Sequence, residues 1–161
     1  MRMELLGVRV EMPANTPVVM LREMVENGRV LPILIGGNEA AAIHNALEGN
    51  TPPRPMTHDL MITVVQALGA TLERVLITEV RQHTYYAELH LRTASGQTVV
   101  STRPSDAIAL AVRVDAPIFA EEDLLDEAAV AMEADAPADE EAILDEFRDF
   151  LDDLNPDDFA E

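Results

Sequence analysis

The sequence predicts an α+β fold, a single compact domain with a mostly antiparallel sheet and elements in the order βββααβββα. Apolar and polar residues alternate with a period of two in several segments, which is typical of half-buried strands. Asn27-Gly28 and Ser95-Gly96 are turn sequences that commonly join two strands into a hairpin. Because the strands come in groups and not one by one between helices, the pattern favours α+β over a parallel α/β sheet.

The first half of the chain reads as a meander followed by a helix. Alternation in the first strand places apolar side chains at Leu6, Val8, Val10 and Met12. Two β-rich runs follow, at 18–25 and 29–35, and Asn27-Gly28 joins them. A helix at 39–47 comes next, after the turn Gly36-Gly37, which could hold an anion at the helix N-terminus, although a plain tight turn explains it as well.

The second half contains two helices separated by three strands. A Pro-rich loop leads to a helix with Thr57 as its N-cap and Gly69 as its end. Strands at 72–82, 85–93 and 97–102 lead into a last helix that starts at Pro104. Both helices carry long apolar runs, so both are expected to be buried.

The charge is concentrated at the C-terminal end. Residues 1–120 carry 12 acidic residues and 10 arginines, whereas residues 121–161 carry 18 acidic residues and one arginine. The first range is the predicted α+β domain, and 121–138 is a predicted acidic linker of Ala, Glu and Asp. The near-neutral charge of the first range argues against a generally basic nucleic-acid footprint, and the absence of Cys excludes disulfides, thiolate metal sites and a cysteine nucleophile.

The last segment, 139–161, is predicted to form an acidic amphipathic helix. Its apolar residues recur at helical spacing: Ile143, Leu144, Phe147, Phe150, Leu151 and Leu154. An isolated helix of this length is marginal in water, so we expect this stripe to dock on its own domain, on a second subunit or on another protein. No apolar run approaches the roughly 18 residues of a membrane span, and a cytoplasmic location without membrane association is the expectation.

Several motifs together resemble the bifunctional nuclease (BFN) domain family, formerly a domain of unknown function. They come in the family's order within residues 1–120: Leu31-Pro32-Ile33, Ile35-Gly36, Glu39-Ala40, Arg54-Pro55, Thr57-His58-Asp59-Leu60 and Arg103-Pro104-Ser105-Asp106-Ala107-Ile108-Ala109-Leu110. The resemblance implies a compact α+β domain, often homo-oligomeric, and a nuclease acting on DNA, RNA or both. The acidic C-terminal segment lies outside it.

The residues that could carry such chemistry stand at predicted helix starts. Phosphodiester hydrolysis needs an activated water and positive charge near the phosphate oxygens. His58, Asp59, Arg103 and Asp106 are the candidate catalytic residues, and we expect them to cluster. The other candidates are Arg54, Gly36 and Gly37 for substrate binding, and Glu39, Asp59 and Asp106 as ligands of Mg²⁺ or Mn²⁺. Nothing in the sequence points to an organic cofactor.

Simpler roles remain open for the same residues. Asp59 and Asp106 could cap their helices and pair with arginines, each contributing about 0.3–1 kcal/mol. The alternatives to a nuclease are a non-catalytic regulatory module and a sensor of a small anionic ligand that uses the Gly36-Gly37 turn. Nucleic acid is a partner through the resemblance alone. A homo-oligomer, most simply a dimer, is expected because open sheet edges favour pairing between copies.

Overall fold

The computed structural model describes residues 1–11, 15–50 and 52–130. In these ranges the chain forms an α+β domain in which one mixed sheet packs against helices. The elements are β1 (Arg2–Glu11), β2 (Thr16–Glu23), β3 (Val30–Leu34), α1 (Gly37–Leu47), α2 (Thr57–Ala67), β4 (Thr71–Arg81), β5 (Thr84–Thr93), β6 (Gly96–Thr102), α3 (Pro104–Val114), β7 (Ile118–Ala120) and α4 (Glu122–Ala128).

The sheet has the strand order β3-β2-β1-β7-β4-β5-β6. All neighbouring strands are antiparallel except β4 and β7, which are parallel. The short strand β7 therefore lies in the middle of the sheet and joins its two halves. This confirms the mostly antiparallel α+β class and adds a strand that the sequence patterns did not predict.

The two predicted hairpins are present, and the first has a longer loop than expected. Glu23 ends β2 and Val30 begins β3, so the connection spans residues 24–29. Asn27 adopts a positive φ of 54° within this loop, as the turn sequence required. The additional length places Arg29 beside Glu23, whose carboxylate accepts hydrogen bonds from the Arg29 backbone N–H at 2.9 Å and from its Nε at 2.8 Å.

Helix α3 is buried as the sequence predicts, but α2 is not. From Pro104 to Ala111, every residue of α3 except Asp106 is buried. No residue of α2 is buried, although this helix is equally apolar. The prediction that α2 is buried was wrong, because the apolar composition of a helix does not show whether the rest of its domain covers that helix. None of the described helices is both long and apolar enough to cross a membrane.

The chain continues to pack beyond residue 120, where a solvated linker was predicted. Helix α4 buries Leu124 and Leu125 in the core. Val130 then pairs with Val30 at the outer edge of β3, through backbone hydrogen bonds of 2.8 Å in both directions. The prediction of a linker was wrong for these residues because two leucines among acids are enough to fix one short helix. The remainder of the linker and the predicted helix at 139–161 lie outside the described residues.

Candidate active site

The first turns of three helices meet at one place in the described structure. Glu39 is the third residue of α1, His58 the second of α2, and Asp106 the third of α3. Arg103, directly before α3, forms ion pairs with Glu39 and Asp106, and His58 contacts Asp106. Pro104 follows it at the first helical position, where the missing N–H costs nothing, and fixes the backbone entry into α3.

Arg103 bridges two acidic side chains. Its Nε lies 2.7 Å from Asp106 Oδ2, and its Nη2 lies 3.0 Å from Asp106 Oδ1. On the other side, its Nη1 lies 3.0 Å from Glu39 Oε1. The hydrogen bond to Asp106 is the main cause that raises the pKa of Arg103. The side chain is still 63% exposed, so solvent and ligands can reach the guanidinium.

His58 is held by Asp106 across 48 residues of sequence. His58 Nε2 lies 3.0 Å from Asp106 Oδ1, and the two side chains are only 12% and 20% exposed. Burial acts to raise the pKa of Asp106, but hydrogen bonds from Arg103 and His58 outweigh it and hold the pKa below its ordinary value. Asp106 is therefore a carboxylate that accepts from both neighbours, and it fixes the orientation of the imidazole.

Asp59 faces a different arginine. Its Oδ1 accepts from Arg113 Nε at 2.6 Å, and its Oδ2 accepts from the Met56 backbone N–H at 2.9 Å. The Arg113 hydrogen bond, followed by the Met56 N–H, holds the pKa of Asp59 below its ordinary value. Asp59 thus caps α2 and pairs with an arginine, which is the simpler role weighed from the sequence. Met56, and not Thr57, is the N-cap residue.

The three residues predicted to bind substrate, Gly36, Gly37 and Arg54, have different surroundings. Gly36 is the N-cap residue of α1, and a Cβ there would collide with the Glu39 carboxylate. An acidic group of the chain itself therefore lies against the turn where an external anion was expected. Gly37 begins α1 and has open space around its Cα. Arg54 is exposed in the loop before α2 and makes no ion pair with another described residue.

The predicted metal ligands do not come together as one set in the described residues. Glu39 and Asp106 share the guanidinium of Arg103, while Asp59 is paired with Arg113. No group of three or more His, Asp or Glu side chains in the described ranges is arranged to hold a metal ion. The arrangement does not fit a preformed carboxylate site for Mg²⁺ or Mn²⁺, since a cation would have to compete with a guanidinium. A Mg²⁺ or Mn²⁺ cofactor remains a prediction.

A cleft of about 590 Å³ opens beside His58. One wall is a face of α1 with small and amide side chains, and the other is the start of α2. Its lining residues are Asn38, Ala41, Ala42, Asn45, Asn50, Pro52, Met56, Thr57, His58, Asp59 and Arg113. The volume is in the range of small-molecule sites, and the lining combines polar and apolar groups.

Comparison with known proteins identifies the family. Residues 19–133 match the model of the bifunctional nuclease domain. The chain belongs to this family. An uncharacterized protein of Mycobacterium tuberculosis is 43% identical over 160 residues, which cover 95% of this chain and 94% of that protein. Bifunctional nuclease 2 of Oryza sativa subsp. japonica is 30% identical over 117 residues, covering 70% of this chain and 35% of the rice protein.

Arg113 and the three cleft asparagines of this bifunctional nuclease domain were not among the residues predicted from the sequence. Arg113 is 12% exposed and also donates from Nη1 to the Ala109 carbonyl at 2.7 Å. A signal for it existed, because Arg113 follows Asp106 by seven residues and therefore lies on the same face of α3. The asparagines carried no such signal, since the packing of α1 against α3 decides which face of α1 borders the cleft.

Proposed function

We propose that this member of the bifunctional nuclease domain family hydrolyses phosphodiester bonds of nucleic acid at the junction of α1, α2 and α3. The observation that carries the proposal is the His58–Asp106 pair, whose Nε2 and Oδ1 atoms lie 3.0 Å apart and whose histidine lines the cleft. Family membership and the rice proteins named bifunctional nucleases support the reaction class.

His58 is the proposed general base. Its Nε2 faces the Asp106 carboxylate, which fixes that nitrogen as the donor and leaves Nδ1 as the acceptor. Nδ1 makes no hydrogen bond to another described residue, so it can accept a proton from an attacking water. The water oxygen bonds to phosphorus, the bond to the leaving oxygen breaks, and the proton held by the imidazole is available to the leaving group. Asp106 is a positioning residue that stabilises the charged imidazole.

Arg103 is the proposed phosphate contact. A guanidinium has five N–H donors, and the hydrogen bonds and ion pairs of Arg103 use three of them. The remaining donors and the 63% exposure allow it to contact a phosphate oxygen. One arginine facing two carboxylates leaves one excess negative charge. The N-termini of three helices offset it, since each carries roughly half a positive charge.

We propose that the cleft binds the nucleotide adjacent to the scissile phosphate. Asn38, Ala41, Ala42 and Asn45 recur at intervals that put them on one face of α1, which gives a shallow wall with two amide groups. The side-chain amides of these two asparagines make no hydrogen bond to another described residue. They can therefore pair with a base edge that is not already engaged in a duplex, which favours an unpaired nucleotide as substrate.

The test is cleavage of end-labelled single-stranded and duplex DNA and RNA by the full-length protein, with Mg²⁺, with Mn²⁺ and with a chelator. His58→Ala and Asp106→Asn should each lower the rate by about 10²–10⁴-fold, the usual contribution of a positioned base. His44→Ala is the matched control, because His44 is an exposed histidine of α1 that does not line the cleft. Circular dichroism should show that all three variants keep the fold.

Two results would contradict the proposal. Equal rates for wild type and His58→Ala would remove His58 from the mechanism. Absence of cleavage under every metal condition, with nucleic acid still bound, would favour the non-catalytic regulatory module. The ion pairs of Glu39 and Asp106 with Arg103 and of Asp59 with Arg113 support that second candidate, because carboxylates already held by guanidinium groups are not free to bind a catalytic metal ion.

A further inference from the structure

Arg113 has hydrogen-bond donors that no other described residue uses. Its Nε donates to Asp59 Oδ1 at 2.6 Å, and its Nη1 donates to the Ala109 carbonyl at 2.7 Å. A guanidinium has five N–H donors, so three remain, and both N–H groups of Nη2 are among them. Within the described ranges, no fully buried side-chain nitrogen or oxygen lacks a hydrogen-bond partner. Nη2 has no such partner and must therefore reach solvent, although the side chain is only 12% exposed.

The space open to these donors is the cleft beside His58. Arg113 lines this cleft of about 590 Å³ and also an adjoining cavity of about 380 Å³. The two spaces share Asn50, Pro52, Asp59 and Arg113 as lining residues. Because its Nε and its Nη1 are both engaged, the guanidinium is fixed in direction. Donors that are fixed before binding lose little entropy when a ligand pairs with them.

The ligand group that suits these donors is a neutral acceptor. Asp59 lines the cleft together with Arg113 and compensates its charge. A phosphate at Arg113 would also face this carboxylate, and like charges repel. At Arg103 the start of α3 offsets such repulsion, whereas Arg113 lies in the last turn of α3, where the helix dipole is negative. A carbonyl oxygen or ring nitrogen of a base carries no charge and avoids this cost.

Guanine is the base whose edge matches a group that only donates. Guanine offers two adjacent acceptors, O6 and N7, whereas adenine offers one acceptor and one donor, thymine one acceptor and cytosine one donor. Arginine paired with O6 and N7 of guanine is the commonest base-specific contact of proteins with DNA. The asparagine amides of the cleft carry both donors and an acceptor, so they can adapt to any base. Arg113 cannot adapt, and it therefore decides which base fits.

We propose that Arg113 makes the cleft selective for guanine in an unpaired strand, by donating to O6 and N7 of the nucleotide next to the scissile phosphate. The proposal rests on the proposed function only in that nucleic acid occupies the cleft, and it does not require turnover. Arg113 then has two roles. Its Nε holds Asp59 at the start of α2, and its remaining donors recognise the base. Because His58 lines the same cleft, cleavage should fall beside guanine.

The first test measures binding to the full-length protein in the presence of a chelator. Short oligothymidylate and oligouridylate strands, each with one varied central base, compete with a labelled strand in fluorescence anisotropy. The strand with guanine should bind about 5- to 150-fold more tightly than those with adenine, cytosine or the unvaried pyrimidine, the range for a good bidentate contact. Hypoxanthine keeps O6 and N7 and should bind as guanine does. 7-Deazaguanine lacks N7 and should lose most of the gain.

The second test uses Arg113→Lys. Lysine keeps the positive charge beside Asp59 but cannot present two parallel donors in a fixed plane. The variant should lose the preference for guanine, with little change in its affinity for the unvaried strand. Arg81→Lys is the matched control, because Arg81 is 68% exposed on β4 and lines neither cavity. It should keep the preference. Circular dichroism checks both folds, and the base analogues test wild type whether or not Arg113→Lys folds.

Equal affinity of wild type for all bases would overturn the proposal, even if the protein cleaves nucleic acid. An equal loss of affinity for every strand in Arg113→Lys, with the guanine preference retained, would also overturn it and would place Arg113 against the phosphate backbone. Failure of every strand to bind would overturn both this proposal and the proposed hydrolysis. A guanine preference that depends on N7 and on Arg113, without cleavage under any condition, would support guanine recognition and contradict the hydrolysis alone.

Discussion

Asp59 illustrates how one side chain stabilises two elements. It accepts from the backbone N–H of Met56, the N-cap residue of α2, and from Arg113 of α3, whose side chain is only 12% exposed. Asp59→Asn keeps the size of the side chain but removes its charge and one acceptor. We expect a loss of about 1.5–3 kcal/mol in the free energy of unfolding, the usual value for hydrogen bonds to charged groups, measured by urea denaturation.

Asp115→Asn is the matched control for this substitution. Asp115 is the C-cap residue of α3 with a φ of 54°, and asparagine adopts that left-handed conformation as readily as aspartate does. Its stability should stay within about 0.5 kcal/mol of wild type, as for most surface substitutions. If both variants unfold at the same urea concentration, the Asp59–Arg113 pair contributes nothing measurable.

The same carboxylates predict an acid-sensitive fold. Hydrogen bonds from arginines hold the pKa of Asp59 and of Glu23 below their ordinary values, and the same is true of Asp106 against the opposing effect of burial. A depressed folded-state pKa means that the stabilisation is present above the ordinary pKa of about 4 and is lost as pH falls through the folded-state value. Urea denaturation between neutral pH and about pH 3 should show this loss, and Asp59→Asn should reduce its slope.

Part of the candidate site could be predicted from the sequence. His58, Asp59, Arg103 and Asp106 were predicted to cluster. His58, Arg103 and Asp106 do so because they stand at the starts of α2 and α3, whose first turns meet. Asp59 is the neighbour of His58 in sequence, yet it is paired with Arg113. Successive residues of a helix differ in direction by about 100°, so adjacency along the chain does not mean a shared site.

At the scale of elements, an arginine of one loop attaches helix α4 to the sheet. Arg29 contacts Glu23 and also pairs with Glu122 at 3.1 Å and Asp126 at 2.5 Å. Glu23 is only 4% exposed, so its charge depends on Arg29 for compensation. Glu23→Gln should lower the free energy of unfolding by about 1–3 kcal/mol, as expected when a buried polar group loses its charged partner.

Thermal unfolding checks this prediction, with Glu4→Gln as control. Glu4 also pairs with an arginine of the next strand, Arg22, at 2.5 Å, but both side chains are at least 36% exposed. Exposed pairs of this kind contribute about 0–1 kcal/mol. An equal loss of stability in the two variants would show that the burial of Glu23 has no particular importance.

Elements with a clear period were predictable, and elements fixed by distant packing were not. The alternation in β1 and β5 and the turn sequences gave the hairpins, because these signals are local. Strand β7 has three residues, too few to show a period, and exists because β1 and β4 lie on either side of it. The exposed surface of α2 was not predictable either, since both buried and interface helices are apolar.

For the whole molecule, the uneven charge predicts a salt-dependent effect of the C-terminal segment. Residues 132–161 contain 13 acidic residues and one arginine, a net charge of about −12. If the chain binds nucleic acid as proposed, a chain ending at residue 131 should bind it more tightly at low salt. The difference should shrink at higher ionic strength, because exposed charges are screened beyond about 8 Å at physiological salt.

Fluorescence anisotropy with a labelled oligonucleotide measures this effect. The chain must not be cut after Ala120, because that would remove the buried Leu124 and Leu125 of α4 and the pairing of Val130 with Val30. Such a shorter chain should unfold at a lower temperature and serves as the negative control. Equal affinity of the full chain and the chain ending at residue 131 at low salt would contradict electrostatic competition.

The central position of β7 determines the order in which the sheet can be completed. The hairpins of β1 to β3 and of β4 to β6 each form from neighbouring residues, but the two groups meet in the sheet through Ile118–Ala120. Ile118 pairs with Met3 on one side and with Val75 on the other. Loop closure over such separations is costly in entropy, so we expect the two groups of hairpins to form before β7 joins them. On this expectation, the free edge of β1 stays unpaired during synthesis until the residues of β7 are available.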